Sequence, residues 1–509
     1  MERIGLVLVH GIGEQKRFAH LDSEIRGIIE GLRRRPSARL TIEILGSGSA
    51  TYNAEHDTWA SGNDPSARIT FMEPGRDLEI NVHEVWWADI NEPYSLAKQM
   101  RFWAWGLSMW SFPRSESRDD LKGFQSMYAP TAPGRDWRHR AVVRIQLFLA
   151  GLFFLVTAFS LGAAVFFAKR LFGLDPPDFV RVFVNYISGV KLYNQNTRQG
   201  TGLLKNPRSF LDTLSDPPRV SVRRRIIQAI VSVASRPPND EYDRWYILAH
   251  SLGSVVAFNG VMENGQAFAN YLPRATWKQL VARNWAGAAR PDDWVKVPPG
   301  RMSPDRPVWL AADDLVYRDE IFGKFRGILT YGSPLGKFAE LWKARVPVNK
   351  VEKAFQTGTE WINVFDGRDP VAGPLKAFAA DNVAQHGVTP AHCPPLRNFS
   401  YIASKILLLS HIRYFTAHRD ETVPQLVDVT AEWLVTGQAF TPPPAGQGRW
   451  TDMHVYCKRV GVSLIWWAAA FLLFAVLGTL TALGLLDIGL ALIKKACEAL
   501  ASFKHWIGG

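Results

Sequence analysis

The chain has 509 residues, enough for two or more domains with separate cores, and carries a formal net charge of +12 with 19 tryptophans. A basic balance suits nucleic acid, an anionic membrane or a solvated surface. There is no zinc-ligand spacing, no aromatic RNA-binding signature and no basic helix ahead of a heptad repeat, so nucleic acid is not an expected partner. Cys393, Cys457 and Cys497 stand apart, which argues against a disulfide framework. The arginine triplets Arg33 to Arg35 and Arg223 to Arg225 read as solvated faces.

In chain order, "IGLVLVHGIGEQ" is a buried strand running into a glycine-rich turn. "RLTIEIL" and "LEINVHEVWW" read as further strands. "RFWAWGLSMWSF", Arg101 to Phe112, is too short to span a bilayer, and its aromatics suit a headgroup-level helix or a lid. Ile145 to Ala168 is uncharged. As a helix it would run roughly 36 Å, against a hydrocarbon core of about 30 Å. Val220 to Ala234 has helical periodicity. "RWYILAHSLGS" is a strand, a sharp turn and an apolar helix, and an insert follows over Asn264 to Asp319. "RGILTYGSPL" and "EWINVFDGRDPVAGP" are strands ending in loops, and Gln425 to Leu434 reads as a closing helix. Val460 to Leu486 is a second uncharged run long enough to span.

Strands alternating with helices imply a doubly wound, mainly parallel α/β sheet. Four parts are expected: residues 1–95, a membrane-associated helical insert over 96–200, residues 201–440 with a lid-like insert at 264–319, and a C-terminal membrane segment over 450–509. Reactive groups in such sheets gather at the carboxyl ends of the strands.

Ser251 sits at the turn, with Ala249 two residues before it and Gly253 two after. Small residues at those positions permit a close strand-to-helix approach that exposes the hydroxyl. A serine nucleophile needs a histidine to take its proton and a carboxylate to orient that histidine. Asp369 is the candidate acid, with Asp366 as runner-up or as an Asx-turn residue. His411 is the candidate base, ahead of His386, His392 and His418. Gly11 and Gly13 let the early loop turn tightly, so that the N–H of Ile12 joins that of Leu252 as an oxyanion donor. The early loop lacks the lysine of a phosphate-binding loop and a third glycine, and no metal or cofactor is expected.

"LVHGIGEQ", "LAHSLGS", "TYGSPL", "NVFDGRDPV" and "HIRYF" together resemble motifs of the α/β-hydrolase superfamily, and within it the lipase-like serine esterases. The likeness covers roughly Arg3 to Trp87 and Pro217 to Val435. It implies a catalytic triad of Ser251, Asp369 and His411 with Ile12 and Leu252 as oxyanion donors.

The oxyanion loop precedes Ile145 to Ala168 and the nucleophile follows it, so both must lie on one side of any membrane. Arginines and lysines flank that segment on both sides, as for two cytoplasmic ends. The expectation is a serine hydrolase in a bacterial inner membrane, its catalytic domain cytoplasmic, acting on a lipid or other lipophilic ester among membrane lipids. The alternatives are a non-catalytic membrane scaffold on a hydrolase fold and a tethered hydrolase of a soluble ester.

Overall fold

A computed structural model describes residues 1–11, 19–45, 52–53, 58–59, 65–87, 218–262, 268–269, 271–272, 274–288, 314–341, 346, 358–369, 371–378, 396–405, 408–418, 421–482, 494–495 and 498. Ile12, His386, His392, the aromatic run Arg101 to Phe112, the apolar run Ile145 to Ala168 and much of the 264–319 insert lie outside them. The described residues form two compact units. The first comprises those within Met1–Pro93 and Asn185–Val460, the second those within Gly461–Gly509.

The first unit is built on β1 (Glu2–Val9), whose residues from Ile4 onward are all buried. A near-continuous apolar run of this kind suits a parallel strand covered on both faces. The helix α1 (Ala19–Arg33) buries Ile25, Ile28, Ile29 and Leu32, one stripe at helical spacing. Next come β2 (Arg39–Ile44), a small antiparallel pair of β3 (Tyr52–Asn53) and β4 (Thr58–Trp59), and a hairpin of β5 (Ala67–Glu73) and β6 (Arg76–Val85). Gly75 turns that hairpin at φ +82°.

The second half opens with α2 (Pro218–Ala234), β7 (Arg244–His250) and α3 (Gly253–Met262). From the insert, α4 (Arg274–Ala282) and an antiparallel pair, β8 (Ala286–Ala288) with β9 (Asp314–Val316), are described. The chain continues through α5 (Arg318–Ile321), β10 (Phe325–Tyr331), α6 (Leu335–Leu341), β11 (Glu360–Phe365), β12 (Leu396–Tyr401), α7 (Leu426–Thr436) and β13 (Trp450–Thr451) to α8 (Met453–Ala482).

Nine strands form one mixed, mostly parallel sheet in the order β13-β12-β11-β10-β7-β1-β6-β5-β2. The strands from β12 to β6 run parallel; β5 and β13 are antiparallel to their neighbours. Side chains alternate across it. On one face Leu6, Leu8, Tyr246 and Leu248 share a core with α1 and α7. On the other, α2 and α3 cover the sheet. A Cβ on Gly260 of α3 would lie 2.7 Å from Ile226 of α2, so their backbones meet closely.

The order of strands places a switch point between β1 and β7. From β1 the chain moves to β6 on one side, while from β7 it moves to β10 and beyond on the other. β1 and β7 therefore flank the point where the strand order reverses, the topological switch point where α/β sheets hold their ligands. Val9 pairs with Ala249, which sets Gly11 beside Ser251.

The helix α8 is described over Met453–Ala482 and takes in Lys458 and Arg459 ahead of the apolar segment expected over Val460 to Leu486, whose last four residues lie outside the described ones. Leu464, Ile465, Trp466, Leu472 and Val476 are exposed along it. Among the described residues no helix is long and apolar enough to cross a membrane.

Candidate active site

Backbone geometry makes the serine unusual. Ser251 stands between β7 and α3 at φ +53°, a left-handed conformation that side chains rarely adopt. The strain is held by contacts on every side. Its N–H donates to Tyr331 O at 3.0 Å, tying the turn to the end of β10. Its carbonyl accepts the Ser254 hydroxyl at 2.6 Å. That hydroxyl is 2.6 Å from Ser333 Oγ, which accepts the Leu335 N–H at 3.2 Å. One proton per hydroxyl fixes the direction: Ser333 donates to Ser254, and Ser254 to Ser251.

The small residues around the turn have steric reasons. A Cβ on Gly253 would sit 2.3 Å from Val9 O and 2.5 Å from His10 O; one on Gly11 would sit 2.7 Å from Ser251 Cβ. Ala249 is fully buried in the strand before them. The fit is that of a helix start driven against the end of the neighbouring strand.

His411 follows a short 3-10 turn over Leu408–Ser410 and is buried. Its Nε2 lies 3.0 Å from Ser251 Oγ and its Nδ1 2.8 Å from Asp369 Oδ2. Asp369 follows β11, and its Oδ1 accepts the N–H groups of Val371 (2.8 Å) and Ala372 (3.2 Å). Burial alone would push this carboxyl up. The charge and hydrogen bond of His411, the Val371 N–H and the Tyr414 hydroxyl outweigh it and hold the acid below its ordinary value. An ionised Asp369 accepts from Nδ1–H, which leaves Nε2 with its lone pair facing the serine hydroxyl.

The runner-up acid is elsewhere engaged. Asp366 accepts the N–H groups of Arg368 and Ala403 at 2.9 and 2.8 Å and a two-pronged contact from Arg459. His418 is also turned to another task. Its backbone N–H and carbonyl bind the Gln425 side chain, the residue that caps α7.

No family model, curated protein or solved structure matches this chain. The site's chemistry is therefore read from its own geometry.

Further side chains hold the site. The Tyr414 hydroxyl donates to Asp369 Oδ2 at 2.9 Å and accepts the Asp366 N–H at 2.9 Å. Burial first, then the neighbouring Asp369 and Asp366, raise its pKa and keep it protonated. His250 donates from Nε2 to His411 O at 2.8 Å and stacks on Tyr331 at 5.1 Å. Burial, with the nearby His411, pushes its pKa down to about 3, so it is a neutral donor. Gly332 passes beside both at φ +60°, where a Cβ would lie 3.1 Å from His250 Nε2 and from Tyr414 Cε2.

Leu252 is buried directly after the serine, whereas Ile12 lies outside the described residues. At the head of the early loop, His10 Nε2 accepts the Trp87 N–H at 3.1 Å. Its Nδ1 therefore carries the proton and donates to Gly11 O at 2.6 Å. His10 and Trp87 stack with ring centroids 5.1 Å apart.

No motif in the sequence assigns a site role to His10, His250, Ser254, Ser333 or Arg459, the last standing out only as a basic flank of the apolar run from Val460. His250 and Ser254 lie close enough to Ser251 in the chain to be noticed. Arg459 had no local signal, because it stands in the basic run-up to an apolar helix.

Proposed function

We propose that the chain is a serine hydrolase of the α/β-hydrolase type that cleaves a lipid or other lipophilic ester through an acyl-enzyme on Ser251. One observation carries this reading: Ser251, His411 and Asp369 stand in hydrogen-bonded line, with the serine at positive φ on a strand-to-helix turn. The six parallel strands around β1 and β7 support the hydrolase assignment, as does the position of the turn at the switch point.

In the proposed reaction His411 Nε2 takes the Ser251 proton as Oγ attacks the ester carbonyl. The N–H groups of Leu252 and Ile12 receive the developing oxyanion. The imidazolium then protonates the leaving alcohol. Water, deprotonated by the same nitrogen, releases the acid and restores the serine. Asp369 stays ionised throughout and stabilises the charged imidazole.

The lipophilic substrate and membrane attachment are supported by the exposed Leu464, Ile465, Trp466, Leu472 and Val476 of α8 and by the uncharged run Ile145 to Ala168. Because β1 and β7 pair side by side, the chain between them must return to the side it left. The basic flanks of that run favour the cytoplasmic side for the catalytic unit.

A fluorophosphonate probe tests the chemistry. It is expected to label wild-type protein and not Ser251→Ala. Undiminished labelling of Ser251→Ala would overturn the assignment. Lipid extracts from cells with wild type or Ser251→Ala, compared by mass spectrometry, identify the ester class. Lipid profiles that do not differ would count against a lipid substrate and favour a tethered hydrolase of a soluble ester.

A further inference from the structure

The helix that leaves the catalytic unit is fastened to the loop carrying the acid. Asp452 caps its start, accepting the Val455 N–H on Oδ1 at 2.8 Å. The first two turns then lie against the loop after β11. The Tyr456 ring meets Phe365 edge-on, with centroids 5.0 Å apart at 89°. Gly367 touches the helix so closely that a Cβ there would lie 2.6 Å from Tyr456 O and 2.9 Å from Arg459 Cβ.

Arg459 reaches from this helix into the loop. Its Nε and Nη2 donate to Asp366 Oδ1 at 2.9 and 2.8 Å, and Nη2 also contacts Oδ2 at 2.9 Å. A further contact from Nη2 reaches Ser404 O at 2.8 Å, in the segment that leads from β12 to His411. The two side chains are 13% and 0% exposed, so the pair is little screened by water.

Asp366 passes the constraint inward. Its carboxylate gathers the N–H groups of Arg368, Ala403 and Ser404, while its own N–H donates to Tyr414 Oη. The Tyr414 hydroxyl donates in turn to Asp369, and Asp369 to His411 is the contact that orients the base. An unbroken chain of hydrogen bonds thus runs from α8 to the proposed base.

We infer that Arg459 is a positioning residue for Asp369 and His411, so that the seating of α8 on the acid loop sets the geometry of the proton-transfer pair. The inference rests on the serine-hydrolase reading and adds to it. A guanidinium is required because its planar fork spans both carboxylate oxygens and a carbonyl together. Removing it would leave a buried carboxylate without its counter-ion and release two loops at once. Arg459 touches neither the serine nor the histidine, so its loss acts through orientation.

The experiment compares full-length wild type with Arg459→Met, Arg459→Lys and Tyr414→Phe, using a 4-nitrophenyl ester for turnover and a fluorophosphonate for labelling rate. Arg459→Met is expected to lower kcat by about 10- to 100-fold with KM unchanged, and Arg459→Lys to recover part of the loss. In the Tyr414→Phe background the same change should cost less, because the path is already cut. Wild-type kcat in Arg459→Met would overturn the inference, as would a loss confined to KM or full additivity with Tyr414→Phe. If Arg459→Met does not fold, Arg459→Lys decides alone: kcat equal to wild type overturns the inference, and reduced kcat at constant KM supports it. Absence of labelling in wild type would instead sink the hydrolase reading, so the two failures are distinguishable.

Discussion

His250, the residue before Ser251, donates its Nε2–H to the backbone carbonyl of His411 at 2.8 Å. The strand that leads to Ser251 thus also fixes the loop that carries His411. The two rings lie 4.9 Å apart. His250→Ala would leave a buried carbonyl without this donor and open a cavity beside His411. The expected cost is about 2–4 kcal/mol of stability, read by denaturant unfolding, with kcat lowered more than KM is raised. His250→Gln, which keeps an N–H donor on a side chain of similar reach, should recover part of the turnover. Equal turnover in wild type and the alanine variant would show that His411 is held by other contacts.

Asp369→Asn and Asp366→Asn separate two carboxylates that stand three positions apart in the chain. The first change replaces the group that accepts from His411 Nδ1 and allows the wrong tautomer. It should lower turnover by about 10³–10⁴-fold with little loss of stability. Asp366→Asn removes the charge facing Arg459 and should act first on stability, seen as a lower melting temperature. Crippled turnover in Asp366→Asn beside near-normal Asp369→Asn would reverse the assignment.

Three buried groups give the fold a defined pH dependence. Burial, with Arg236, pushes His83 down to about 3, and burial likewise pushes His250 to about 3, against an ordinary 6.5. Between those values the unfolded chain binds protons that the folded chain refuses, so stability declines as pH falls from about 6.5 towards 3. Glu24 is opposite. Burial raises it to about 8 from 4.5, although the neighbouring Tyr331 hydroxyl opposes the rise. The folded chain holds this proton while the unfolded chain sheds it, so the stability it contributes is lost as pH rises from about 4.5 through 8. Glu24→Gln should therefore gain stability relative to wild type at pH 8, on the order of a few kcal/mol, and gain much less at pH 4.5. Parallel pH–stability curves for the two proteins would refute it.

Membrane attachment through apolar contact resists salt, because screening acts on charges. The protein is expected to pellet with membranes in high salt and in carbonate. Replacing the exposed Ile465, Trp466 and Leu472 by serine should move part of it to the supernatant. Release of wild type by salt alone would mean that its basic surface does the binding.

The sequence by itself determined the central buried strands and the demand for small residues at the turn. Apolar runs of strand length marked β1, β7, β10 and β11, because a strand buried on both faces must be apolar throughout. The pattern around Ser251 was legible because a helix start pressed against a neighbouring strand tolerates only small side chains, a local rule. Tertiary structure decided the rest. It put β1 next to β7 and so made the switch point, and it ran β5 and β13 antiparallel at the flanks, where no motif announced them. It also brought Asp369 and not Asp366 to His411, and turned His418 to the cap of α7. Asp366 and Asp369 occupy one loop with similar local chemistry. What distinguishes them is Arg459, 93 positions further along the chain, together with Tyr414 and His411 from another loop. Such partners are chosen by strand order and packing, and those long-range contacts leave no periodicity for a local reading to detect.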